Sequence, residues 1–132
     1  MTRLYVDADI LIWYSRRNQQ ALEFFRDIVR DDENELFVGA MQRAEILFHV
    51  RRDEEEFVGR FLSLFQTAPV TEDIVELGAR IYRRWHPSHG TDENDAILAA
   101  TAILARGTIV TQNVKHFPMP ELTVRQGWDD SL

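Results

Sequence analysis

The sequence predicts a three-layer α/β domain whose mainly parallel central sheet is flanked by helices. Three observations carry that reading. Short β-branched or aromatic runs alternate with amphipathic helical stretches along the chain. The strongest helical stretch, "NDAILAATAILARG", leads directly into an apolar strand, "TIVT". An acid closes the first apolar strand, in "RLYVD", and in open parallel sheets ligands gather at the carboxyl ends of strands.

"RLYV" at 3–6 is the first strand, and "ILIWYS" after it begins a helix or a loop packed on the sheet. Asn18 is a good N-cap for "QQALEFFRDIVRD", which sets Ala21, Leu22, Phe25, Ile28 and Val29 on one face. "ELFVG" (35–39) is the second strand, followed at once by a helix over 40–52. The spacing of Phe57, Phe61, Leu64 and Phe65 predicts a further helix over 54–66. "APV" (68–70) reads as a short edge strand, because proline cannot donate to a central ladder. The helix over 72–85 is expected to close at His86-Pro87, since the residue before proline disfavours the helical region. "PSHG" is then a loop. Thr91 or Asp92 caps the helix over 91–107, acids fill its first turn and Gly107 ends it. "TIVT" (108–111) is a buried strand and "LTVR" (122–125) the last one. Neither repeat nor linker interrupts the chain, so one domain is expected over 1–132.

A chain of 132 residues supports one core. No apolar run approaches the ~18 residues of a membrane span, and no basic stretch followed by a long apolar one suggests a secretory signal. With no cysteine, disulfides and thiolate metal sites are excluded, which fits a cytoplasmic protein. The net charge of -7 argues against a nucleic-acid partner until it is localised. Setting aside Asp7, Asp9, Glu45, Asp92, Glu93 and Asp95, the remaining sixteen acids face fifteen bases, so the rest of the protein is nearly neutral. Fourteen of those bases are arginines, paired at Arg16-Arg17, Arg51-Arg52 and Arg83-Arg84, and such pairs either meet phosphates bidentately or cover solvated helix faces.

Asp7 ends the first strand, Glu45 lies on a partly apolar helix face with Met41, Ala44 and Phe48, and Asp92 and Asp95 share a helix start. Asn113 follows "TIVT" by two residues. Taken singly, Asp92 and Asp95 read as helix-start acids and Glu45 as an ordinary helical acid. Four segments nevertheless deliver acids or an amide to one sheet edge. Two carboxylates 4 Å apart repel by roughly 4 kcal/mol at an effective dielectric of 20, so either protons or a cation must compensate. Oxygen ligands without cysteine select Mg²⁺ or Mn²⁺, ions suited to phosphodiester hydrolysis.

The chain resembles the PIN domain, and within it the VapC-like toxins of prokaryotic toxin-antitoxin pairs. The resemblance rests on "LYVDADILIWY", "VGAMQRAEIL", "NDAILAATAILARGTIVTQNVKHF" and "LTVRQGW". It implies metal-binding acids at Asp7, Glu45 and Asp95, with Asp92 as an extra ligand or supporting acid. Thr111 and Asn113 match the polar pair that holds waters and orients the acids. Many relatives carry an acid at the position of Asn113 or of His116; this chain has neither, so a second ion would be held weakly. His116 is read here as a packing or surface residue, and Asp9 as supporting turn chemistry, its side chain pointing away from that of Asp7. Trp13, Tyr14, Trp85 and Trp128 are read as core or interface aromatics. The resemblance also implies a Mg²⁺-dependent endoribonuclease, with Mn²⁺ able to substitute, that cuts single-stranded RNA segments, forms a homodimer and answers to a cognate antitoxin.

Two other classes compete. A degenerate PIN-like module would bind RNA or protein without turnover. An aspartyl-phosphate receiver or phosphatase would use Asp7 covalently, but needs a lysine, and the only one is Lys115.

Overall fold

The computed structural model describes residues 1–129; residues 130–132, the last three of the expected domain, lie outside the described residues. Five strands form one sheet: β1 (Thr2–Val6), β2 (Asn34–Gly39), β3 (Gln66–Ala68), β4 (Thr108–Thr111) and β5 (Thr123–Gln126). The order is β3-β2-β1-β4-β5, and all four pairings are parallel. Six α-helices accompany them: α1 (Ala8–Ser15), α2 (Gln19–Arg30), α3 (Ala40–His49), α4 (Glu55–Leu62), α5 (Glu72–His89) and α6 (Glu93–Ala105).

Strand alternation splits the core into two layers. Leu4, Val6, Val38 and Val110 face α1 to α4, while Tyr5, Phe37 and Ile109 face α5 and α6. On the first side Phe25, Phe61 and Phe65 meet edge to face, and Tyr14 stacks on Phe61 with ring centroids 3.8 Å apart. Trp128 packs against Phe24, whereas Trp13 is exposed. On the second side the alanine-rich middle of α6 lets that helix lie close to the sheet and to α5. Gly78 of α5 is part of that fit, since a Cβ there would stand 3.0 Å from Ile97 Cδ1.

Several boundaries differ from the sequence reading. The stretch after β1, read as a helix or a loop, is a helix. The expected strand over 68–70 instead occupies Gln66–Ala68, ending before Pro69 and so avoiding the donor that proline lacks. Helix α3 stops at His49, because Val50 and Arg51 turn extended, and α4 covers only Glu55–Leu62 of the expected 54–66. The largest departure is at Pro87, which neither ends α5 nor opens a loop. The helix continues through "PSH" to Gly90, whose left-handed φ of 70° closes it with an N–H bond to the His86 carbonyl. The final turn is exposed, so the carbonyl freed by the missing Pro87 N–H faces solvent. Helix α6 is capped at its end by Arg106, in left-handed geometry at φ 56°, rather than by Gly107. Gly107 is needed for a different reason: a Cβ there would collide with the Tyr5 ring.

Truncating the buried ring in Phe61→Ala is expected to cost about 3–5 kcal/mol in urea denaturation, whereas Phe48→Ala, on a ring 79% exposed, should stay within about 0.5 kcal/mol.

Candidate functional site

The sheet order reverses direction between β1 and β4, and the crevice beyond the carboxyl ends of those two strands is where a doubly wound sheet binds ligands. Asp7 directly follows β1 there and Thr111 ends β4. The Asp7 N–H continues the ladder to the Val110 carbonyl at 2.9 Å, which fixes the residue, while its Oδ1 accepts from the Ala8 N–H at 2.8 Å as α1 begins. Its other oxygen accepts from the fully buried Thr111 hydroxyl at 2.9 Å. That hydroxyl also lies 3.4 Å from Asp9 Oδ2 and accepts from the Asn113 N–H at 3.0 Å. Asp9 Oδ2 takes the Gln112 N–H at 2.9 Å. Asp9 therefore does not point away from Asp7. The chain turns helical at Ala8, so strand alternation no longer applies and both carboxylates converge on Thr111.

The second group comes from α3 and α6. Asp92 and Asp95 form a reciprocal capping box: the Asp95 N–H bonds Asp92 Oδ1 at 2.7 Å, and the Asp92 N–H bonds Asp95 Oδ2 at 3.0 Å. Asp95 Oδ2 also lies 3.2 Å from His116 Nδ1, so His116 belongs to the site. Glu45, half-buried on α3, accepts from the Asn94 side-chain amide at 2.9 Å. Beneath them Gln42 is fully buried, with its amide nitrogen 3.5 Å from the Asn94 carbonyl. Its side-chain oxygen occupies the space a Cβ at Gly39 would need.

The charges act on one another. Burial, then Asp9, then more weakly Asp95, pushes Asp7 up to about 8, against the lowering effect of its Thr111 and Ala8 hydrogen bonds. Burial raises Asp9 as well. Glu45 is raised by burial and by Asp92 and Asp9, against the Asn94 hydrogen bond and His49. Asp95 is raised to about 6 by burial, with Asp92 adding to the rise while its N–H and His116 oppose it. A buried acid surrounded by acids calls for protons or a cation. The donors are carboxylate and hydroxyl oxygens with one imidazole, a set that suits a hard divalent ion. Among the described residues, however, no three acid or histidine side chains are gathered closely enough to hold one. Asp95 Oδ2 is engaged by the capping box and His116, and Glu45 Oε1 by Asn94.

Residues 4–118 match the PIN domain family, nearly the whole chain. The protein belongs to the PIN-domain family. It is 35% identical to Ribonuclease VapC19 of Mycobacterium tuberculosis over 119 residues, covering 89% of this chain and 94% of that one. Ribonuclease VapC10 of the same organism is 32% identical over 119 residues, with 89% and 88% covered. Among solved structures, VapBC2 from Rickettsia felis bound to a promoter DNA fragment has a TM-score of 0.79 at 18% identity, covering 97% of this chain and 100% of that one. A toxin-antitoxin complex from Klebsiella pneumoniae gives 0.77 at 22% identity, covering 96% and 98%. These two likenesses show that the PIN domain here has the same five-stranded architecture.

Of the residues singled out in the sequence, this PIN domain brings Asp7, Thr111 and Asp9 into direct hydrogen-bonded contact and pairs Asp92 with Asp95. Glu45 acts on the group electrostatically, and Asn113 joins through its backbone N–H while its side chain is exposed. Lys115 is exposed four residues beyond β4. Asn94 and Gln42 went unrecognised in the sequence. The available signal was Gln42 at i−3 from Glu45, a glutamine on the helix face that also carries the buried Ile46.

In the folded protein Asp7 keeps its proton up to about pH 8, whereas the unfolded chain releases it near 4. Between those values the folded state binds more protons, so cation-free stability falls as pH rises, by up to about 1.4 kcal/mol per pH unit from this group. Urea denaturation in EDTA should show the protein weaker at pH 8 than at pH 5.5. Asp7→Asn should flatten that slope and be the more stable protein at pH 8.

Proposed function

We propose that this PIN-domain protein is a Mg²⁺- or Mn²⁺-dependent endoribonuclease, the toxin of a toxin-antitoxin pair, cutting single-stranded RNA in the cytoplasm as a homodimer. The observation that carries the reading is Asp7: a buried carboxylate at the sheet's switch point, surrounded by acids, with no cationic partner touching it among the described residues. The names of the VapC ribonucleases supply the reaction class, and the Klebsiella toxin-antitoxin complex supplies the kind of partner. The whole domain over 1–132 would serve this one task.

Asp7, Glu45 and Asp95 would hold the ion, with Asp92 as a further carboxylate at the start of α6. When bound, the ion supplies positive charge to the phosphoryl oxygens and lowers the pKa of a bound water. The chain's own residues prepare the site. Thr111 locks the Asp7 carboxylate through its hydroxyl, which donates to Asp7 and accepts from the Asn113 N–H. Asn94 aims Glu45, and His116 steadies Asp95. The exposed Asn113 amide is left to hold a water or a phosphate oxygen. In hydrolysis water adds to phosphorus, the bridging P–O bond breaks, and the departing sugar hydroxyl takes up a proton.

Purified protein should cleave single-stranded RNA with Mn²⁺ and stop with EDTA, and Asp95→Ala prepared identically should be inactive. Persistent cleavage by the variant would sink the assignment. Thr111→Val and Asn94→Ala, which disturb only the support of the acids, should lose about 10- to 100-fold in rate.

A further inference from the structure

The acid cluster does not explain how a protein of net charge -7 receives an anionic strand. Beside it, between the carboxyl ends of α1 and α3, lies a cleft of about 160 Å³ with Glu45 on its wall. Ile12, Ile46 and Val58 give it an apolar lining, and Arg16, His49 and Arg51 bring basic groups to it. These arginines come from two of the doublets that the sequence sets apart.

The backbone explains why Arg16 and not Arg17 reaches the cleft. Arg16 caps α1, and Arg17 then takes a left-handed φ of 60° and places its guanidinium over the Phe57 ring at 4.7 Å. Arg17 is thereby occupied elsewhere. Arg51 follows extended Val50, and its backbone N–H bonds Glu54 Oε1 at 3.2 Å. Glu54, the other acid of the cleft, is thus engaged by main chain. Neither Arg16 nor Arg51 makes an ion pair among the described residues, and both are exposed. Moving from Asp7 past Glu45 into the cleft, the acids are no longer alone: two guanidinium groups stand against Glu45 and Glu54.

We infer that this α1–α3 cleft is a subsite for the RNA strand beside the scissile linkage, with Arg16 and Arg51 gripping a neighbouring backbone phosphate and the apolar lining meeting its sugar or base. The inference rests on the ribonuclease reading and adds the surface that binds substrate outside the acid cluster. Planar guanidinium groups suit bidentate contacts to phosphate oxygens, and a strand whose scissile phosphate lies at the acids must place its next phosphate at one of their borders. The rival role for both arginines, holding the free carbonyls at the ends of α1 and α3, concerns stability alone.

The test measures binding of a fluorescein-labelled ten-nucleotide single-stranded RNA with Mn²⁺ in the Asp95→Asn background, over a series of salt concentrations. Adding Arg16→Gln or Arg51→Gln should weaken binding and reduce the slope of log K against log salt by about 0.7 for each phosphate left without its guanidinium. Arg30→Gln on α2 should leave the slope unchanged, and thermal melting should show all three variants as stable as their parent. An unchanged slope in both cleft variants, an equal loss in Arg30→Gln, or lost stability with an unchanged slope overturns the subsite. Wild-type cleavage in the same buffer separates the two claims. An unchanged slope beside intact cleavage removes the subsite alone, whereas neither binding nor cleavage removes the ribonuclease reading and the subsite with it.

Discussion

The hydrogen bond from Thr111 to Asp7 joins the carboxyl ends of β1 and β4 at the point where the sheet reverses its order. It is also where the fold tolerates a carboxylate that water does not solvate. A buried acid with no basic partner among the described residues disfavours its own ionised form, and the neighbouring acids add to that cost. One hydroxyl and one helix N–H offset part of it. The surrounding architecture is arranged so that this residue cannot move away: its N–H is committed to the ladder, and the chain on either side is buried in the core.

The rest of the site follows from elements brought to that crevice. Helix α6 packs close because its face is alanine, which carries its acidic first turn to within electrostatic range of Asp7. Helix α3 starts directly from β2 with no intervening loop, so Glu45 reaches the same region, and the Gly39–Gln42–Asn94 contacts set α3 against α6. Stability and function oppose each other here. The same desolvation that weakens the cation-free protein at neutral pH would strengthen every contact between its acids and a cation.

The fold class was legible because short apolar, β-branched or aromatic runs alternate with period-3.6 helical stretches, and Asp7 was legible because an acid ending an apolar strand has few structural reasons to be there. Local chemistry also identified Asp92 and Asp95 as a helix start, though which of their oxygens cap backbone is a matter of geometry. What the pattern concealed depends on packing across elements. Asn94 sits in an ordinary helix-start composition and gains its meaning only from α3. Asp9 obeyed strand alternation in the sequence but helical geometry in the protein. His116 had no sequence partner, since its contact to Asp95 spans α6 and the turn after β4. Pro87 misled because the rule for the residue before proline is a preference, and an exposed final turn closed by left-handed Gly90 overrides it.

The central claim is that a cation replaces protons in this cluster, and proton release tests it most directly. Titrating Mn²⁺ into weakly buffered protein at pH 7, while following a pH indicator, should release close to one proton per ion, because a carboxyl held at about 8 is then mostly protonated. Release should vanish in Asp7→Asn. Mn²⁺ binding without proton release, or undiminished release from that variant, would contradict the account.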